Sequence, residues 1–258
     1  MQVMRKILWD KRYSGFVWHL IFVLPFIGLS LLFMQMTKGV TWFLISSALR
    51  TVFGFGILFV ACRLFDLTPS EILSGRNFKG ALIAGTGFFL FFLYFLAEVA
   101  SGFGKVTGLT LGMFVARVFL QQITTGFFEE LSYRFLLLEG LKHTRNTTGL
   151  KLVYVLVSSF LFGLVHVVTA WNIVTFLTTA AIGIAFAVIF VRSGNIVLPM
   201  ILHFVYDFII HITSFMEWRH TPLFDGICEN ADIAYIVMFV VSLVILLYPS
   251  REKCKSSC

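Results

Sequence analysis

The sequence predicts an all-α, polytopic transmembrane helical bundle of about eight spans, with both termini cytoplasmic. Three observations carry that prediction. First, 59% of the 258 residues are hydrophobic and only 13% are charged, against about 25% charged in a soluble globular domain. Second, the apolar residues fall in long continuous runs, which a lipid-facing helix requires and a barrel strand of period two does not show. Third, Lys and Arg gather on one side of the membrane once those runs are threaded through it. A mean hydropathy of +0.92 and 31 Phe residues leave more apolar surface than a water-soluble core hides. A disordered chain is excluded because it needs low hydrophobicity. A disulfide scaffold is excluded because Cys62, Cys228, Cys254 and Cys258 form no dense framework.

Taken in order, runs long enough to span lie near 16–35, 41–62, 81–100, 113–140, 151–170, 173–191, 196–215 and 232–248. The first follows Arg5, Lys6, Lys11 and Arg12 as a signal peptide would. It lacks a small-residue cleavage site and is followed by further spans, so it reads as an uncleaved first helix. Gaps between runs are short, so residues 1–258 are expected to form a single integral membrane domain.

The 20 Lys and Arg residues set the orientation. Arg5, Lys6, Lys11, Arg12, Arg63, Arg76, Lys79, Lys142, Arg145, Lys151, Arg192, Arg251, Lys253 and Lys255 share one side. Lys38, Lys105 and Arg219 occupy the other, and Arg50, Arg117 and Arg134 fall within spans. That asymmetry places both termini in the cytoplasm. The net charge of +7 is therefore a topology signal with some attraction to anionic lipid, and no nucleic-acid partner is expected. Trp9, Trp18, Trp42, Trp171 and Trp218 lie near run ends, as an interfacial aromatic belt requires. Asn146-Thr-Thr has glycosylation spacing but faces the cytoplasm on this topology. Cys254 and Cys258 do not make a lipidation box, because Lys255, Ser256 and Ser257 are not aliphatic.

The informative residues are the polar ones that lipid excludes. The fourth run contains Glu129, Glu130 and Arg134, the fifth ends Phe162-Gly-Leu-Val-His166, and the seventh carries His203, Asp207 and His211. Each charge at the bilayer centre costs about 2.5–3.5 kcal/mol, so Glu129, Glu130, Arg134 and Asp207 unpaired would cost on the order of 10 kcal/mol. Such residues face a bundle interior and mark function. At 3.6 residues per turn, Glu130 and Arg134 share a face, as do His203 and Asp207, and Phe162 and His166. Glu129 points about 100° from Glu130, along a stripe through Thr125 and Gln122. Counting 1.5 Å per residue puts Glu129 roughly 18 Å, His166 roughly 22 Å and His203 roughly 11 Å from their cytoplasmic helix ends. A common pocket in the cytoplasmic half of the membrane is the expectation.

A carboxylate beside two imidazoles suits hydrolysis by an activated water. Burial raises a carboxylic acid's pKa toward the range where a general base works best. Glu129 is the expected base, assisted by His166. His203, held by Asp207, is placed to donate to an oxyanion, and Glu130–Arg134 is a positioning or purely structural ion pair. Phe162 is expected as a cavity wall and His211 as packing. Glu129, His166 and His203 also make a zinc set of two His and one carboxylate, and these residue types leave the metal-free and zinc versions open. No other cofactor is expected.

Glu-Glu-x-x-x-Arg, Phe-x-x-x-His and His-x-x-x-Asp, in that order on hydrophobic helices, resemble the family of CAAX prenyl proteases and bacteriocin-processing endopeptidases. The resemblance covers roughly residues 110–215, the expected catalytic core. It implies a multi-pass intramembrane peptidase using a Glu-activated water. It also implies Glu129 as base, His166 as its assistant, and His203 with Asp207 on the oxyanion side. Asp207 departs from the family's commoner Asn, and a carboxylate there favours a protonated His203. The implied partners are a peptide or membrane-protein substrate and membrane lipid. The competing readings are a transporter with a proton relay and a non-catalytic immunity protein that sequesters a peptide. A transporter predicts inverted repeats, whereas this ionisable set lies in the second half of the chain. The compact chain points to a bacterial inner membrane, or the endoplasmic reticulum membrane if eukaryotic.

Overall fold

The computed structural model describes residues 7–145 and 147–248. Arg5, Lys6, Asn146, Arg251, Lys253, Cys254, Lys255 and Cys258 lie outside them. The described residues are almost wholly helical. Helices α1 (Ser14–Met36) and α2 (Gly39–Phe65) form an antiparallel hairpin. Helices α3 (Phe78–Ala84) and α4 (Thr86–Ser101) follow, and then the strand β1 (Lys105–Val106). The long helix α5 runs over Leu111–His143. Behind it come α6 (Thr148–His166), α7 (Ile173–Ser193) and α8 (Val197–Thr213). The chain closes with β2 (Met216–Glu217), α9 (Pro222–Glu229) and α10 (Ala231–Leu247).

Every apolar run of the sequence therefore falls on helix, but not every run is one straight span. Helices α1, α2, α5, α6 and α7 are long and apolar enough to cross a membrane. The third run breaks at Gly85, where α3 and α4 meet at 66°, and the last run falls on α10, which α9, outside every run, meets at 46°. If each bent pair is one span the total reaches seven, and α8 has only 17 residues, about 25 Å of helix. The fifth run stops at His166 rather than 170, because Val167–Ala170 turns.

Local chemistry explains the boundaries. Thr147, Asn172 and Thr221 cap α6, α7 and α9 by accepting the backbone N–H three residues on. Gly194, at φ 70°, ends α7 in the left-handed conformation that glycine adopts without strain. Buried Asn195 then does two things: its Oδ1 accepts from Leu198 N at 2.9 Å and its Nδ2 donates to Arg76 O at 2.8 Å. It thereby fixes where α8 begins.

The bundle has two distinct ends. At one, Lys11 pairs with Asp66, Asn77 donates to Ser193 O and Arg192 donates to Tyr248 O. The pairing with Lys11 holds the exposed Asp66 carboxyl below its usual range. At the other end β1 pairs antiparallel with β2, Lys105 opposite Glu217. The core has two clusters, one containing Leu131, Phe162 and Val188 and the other Phe88, Phe186 and Met238.

Candidate active site

The fourth run is not a uniform α-helix. Within α5, Phe114–Leu120 and Glu130–Leu136 wind with the wider π turn, flanking a regular stretch at Gln121–Glu129. Wide turns of this kind gather at functional sites. Two neighbouring helices clamp the second wide turn. His19 of α1 bonds Ser132 through Nδ1 at 2.9 Å, and Ser158 of α6 donates to Tyr133 O at 2.6 Å.

Helix α8 packs against the regular stretch at Gly126. A Cβ there would lie 2.9 Å from Met200 O and 3.7 Å from His203 Cβ, so only glycine permits this approach. The consequence is that His203 stands among three carboxylates. Its Nδ1 lies 2.8 Å from Glu130 Oε1, while its Nε2 lies 3.3 Å from Asp207 Oδ2 and 3.7 Å from Glu129 Oε2. Ionised carboxylates only accept, so both ring nitrogens are placed as donors. The second oxygen of Glu130 meets Arg134 Nε at 3.3 Å, and both side chains are fully buried. The Arg134 guanidinium lies over the Phe162 ring, 4.1 Å from its centre.

His166 is held differently. Its Nδ1 lies 2.7 Å from Phe162 O, and a carbonyl only accepts, so Nδ1 donates and Nε2 points away from that bond. His166 is not within ion-pair distance of Glu129. The two instead line one cavity of about 220 Å³, together with Phe26, Ser30, Ser46 and Arg50. The cavity's rim is formed by Met34, Trp42, Val168 and Thr169. These sit at the end of the bundle that carries β1 and β2, remote from Lys11, Arg63, Lys142 and Arg192.

Most of the sequence-derived set thus converges: Glu129, Glu130, Arg134, Phe162, His203 and Asp207 form one contact chain, and His166 shares the cavity with Glu129. Glu130, paired with Arg134, also contacts His203. Three expectations change. Phe162 does not line that cavity but is buried beneath Arg134. The approach to the set lies at the end opposite the basic one, not in the half nearest it. His211 does more than pack, since its Nδ1 accepts from Arg117 Nε at 3.3 Å. As for zinc, no group of three His, Cys, Asp or Glu side chains among the described residues is arranged to hold a metal ion.

The sequence reading left Arg50 without a partner. The signal was present, a charge inside a span, but its place in the cavity depends on how α2 packs against α5. Asn195 and His19 were not singled out at all.

Comparison with known proteins bears on the same segment. Residues 111–209 match the Rce1-like family model, described as type II CAAX prenyl endopeptidase Rce1-like. This is the family that the three motifs resemble. No curated protein and no solved structure matches the chain. The apolar helices fit a multi-pass integral membrane protein, and residues 111–209 are similar to the endopeptidase family.

Proposed function

We propose that this chain is an intramembrane endopeptidase that hydrolyses a peptide bond with a water activated by Glu129. The observation that supports it most is the buried chain Arg134–Glu130–His203–Glu129, which ends at a cavity shared with His166. Interactions of this cost in lipid persist where they serve chemistry.

In this reading a water sits between Glu129 and Nε2 of His166, both of which accept. Glu129 takes one proton as the water oxygen attacks the scissile carbonyl carbon. The carbonyl oxygen becomes an oxyanion and is met by the Nε2–H of His203, a term worth roughly 3–4 kcal/mol in comparable donor deletions. Glu130 holds His203 from behind through Nδ1, and Arg134 holds Glu130. Collapse breaks the C–N bond, and Glu129 returns its proton to the leaving amine. No step needs a metal.

Orientation adds the side from which substrate arrives. With the basic end in the cytoplasm, the rim at Met34, Trp42 and Thr169 faces away from it. The substrate is then a peptide or membrane-protein segment presented at the non-cytoplasmic face.

The test is Glu129→Gln in membranes, read by comparing membrane-peptide abundance with wild type. Loss of the base should lower processing by roughly 10²–10⁴-fold at equal expression and insertion. Processing that continues at the wild-type rate overturns the assignment.

A further inference from the structure

We infer that Arg50 is an anion subsite that anchors a carboxylate of the substrate on the wall of the same cavity, an inference that rests on the peptidase reading. Arg50 lies on α2, outside the segment matched to the family. Trp42, Ser46 and Arg50 recur every four residues along α2, so they share a face, and all three line the cavity. The guanidinium is held in place rather than reaching for water. Its Nη1 donates to Ser46 Oγ, and more weakly to Ser46 O at 3.5 Å, while Cζ sits 5.5 Å from the centre of the Phe26 ring.

What remains of its fork is unspent. Among the described residues Nε is buried without a hydrogen-bond partner, Nη2 donates to no protein atom, and Arg50 makes no ion pair. Glu129 and Asp207 act on Arg50 from beyond ion-pair distance, whereas Arg134 meets Glu130 at 3.3 Å, although none of its own guanidinium nitrogens has a hydrogen-bond partner either. An intramembrane cation with spare donors facing a cavity is an expensive arrangement unless an anion completes it. Two parallel N–H groups match a carboxylate bidentately.

The cavity narrows the choice of anion to one on a short piece of peptide. Its volume of about 220 Å³ falls below the roughly 300–1,000 Å³ of sites that enclose a drug-sized ligand. Ile27, Leu31 and Val165 line the remaining walls and suit apolar side chains. The carboxylate comes either from the chain's C-terminus or from an acidic side chain beside the scissile bond.

Binding is measured first on full-length Glu129→Gln protein in detergent, so that affinity is read without turnover. The probes are an apolar peptide as free acid, the same peptide as C-terminal amide, and an amide carrying one Glu. A charged hydrogen-bonded contact should make a carboxylate probe bind about tenfold tighter than the neutral amide. A preference for the free acid assigns the C-terminus, and one for the Glu peptide assigns a side chain. Adding Arg50→Gln should erase the preference, whereas Arg50→Lys should keep part of it. Equal binding of all three probes with Arg50 intact overturns the subsite, as does a preference that survives Arg50→Gln. The peptidase reading fails separately: protein with Glu129 present would bind the carboxylate probe and release no fragment.

Discussion

Glu130 carries two obligations, one oxygen to Arg134 and one to His203, and that sharing makes its removal costly. Glu130→Ala strands a fully buried guanidinium, so we expect a loss of about 3–5 kcal/mol, the range for breaking a buried pair by deleting one partner. Arg134→Met added to it should recover much of that stability, since no charge is then left unpaired. Neither variant should regain activity, because His203 loses the acceptor on Nδ1 in both. Thermal unfolding in detergent, run beside a cleavage assay, separates the two effects; a double variant no more stable than Glu130→Ala would count against the pairing. These residues were legible in the sequence because lipid leaves so few reasons for Glu129, Glu130, Arg134, His203 and Asp207 to exist. Which carboxylate reaches which nitrogen was not legible. That depends on the register between α5 and α8, and a register is a property of two surfaces rather than of one spacing.

At the scale of helices, Gly126 sets that register. Its missing side chain lets α8 approach until Met200 O would touch a Cβ at 2.9 Å. Gly126→Ala should therefore push α8 outward, at a cost of about 1–3 kcal/mol for overpacking. It should also slow turnover by moving His203 relative to Glu129. Gly28→Ala on α1 is the control, since a Cβ there meets nothing within 4 Å and alanine favours the helix by roughly 1 kcal/mol. Equal effects of the two substitutions on turnover would show that the α5–α8 approach does not govern the site. Hydrophobic runs announced the long helices, because length and apolarity are local, but not α9 (Pro222–Glu229), which lies outside every run. They did not announce the break at Gly85 or the bend between α9 and α10, which are settled by what the chain packs against. Nor did they reveal the wide turn at Glu130–Leu136, whose displaced backbone is satisfied from outside by Ser158.

For the molecule as a whole, the decisive relation is between charge and cavity. Lys11, Arg12, Arg63, Arg76, Lys142, Arg145, Lys151 and Arg192 crowd the end where α1 begins and α7 stops, whereas Lys38, Lys105 and Arg219 are the Lys and Arg of the other end. Positive segments resist translocation, so the crowded end should stay in the cytoplasm and carry the cavity rim to the opposite face. Thr169 belongs to that rim and is exposed; Lys142 marks the crowded end. In a background where Cys62, Cys228, Cys254 and Cys258 are serine, Thr169→Cys should react with a membrane-impermeant maleimide in intact cells. Lys142→Cys should react only after the membrane is opened. If Thr169→Cys also lies against the path of substrate, its modification should slow processing, and a bound carboxylate peptide should protect it. The reverse labelling pattern would invert the molecule and turn the cavity toward the cytoplasm. It would leave the Glu129–His203 chemistry intact while refuting a substrate presented from outside, because the chemistry depends on distances within the bundle and the substrate's origin depends only on which end the charges hold back.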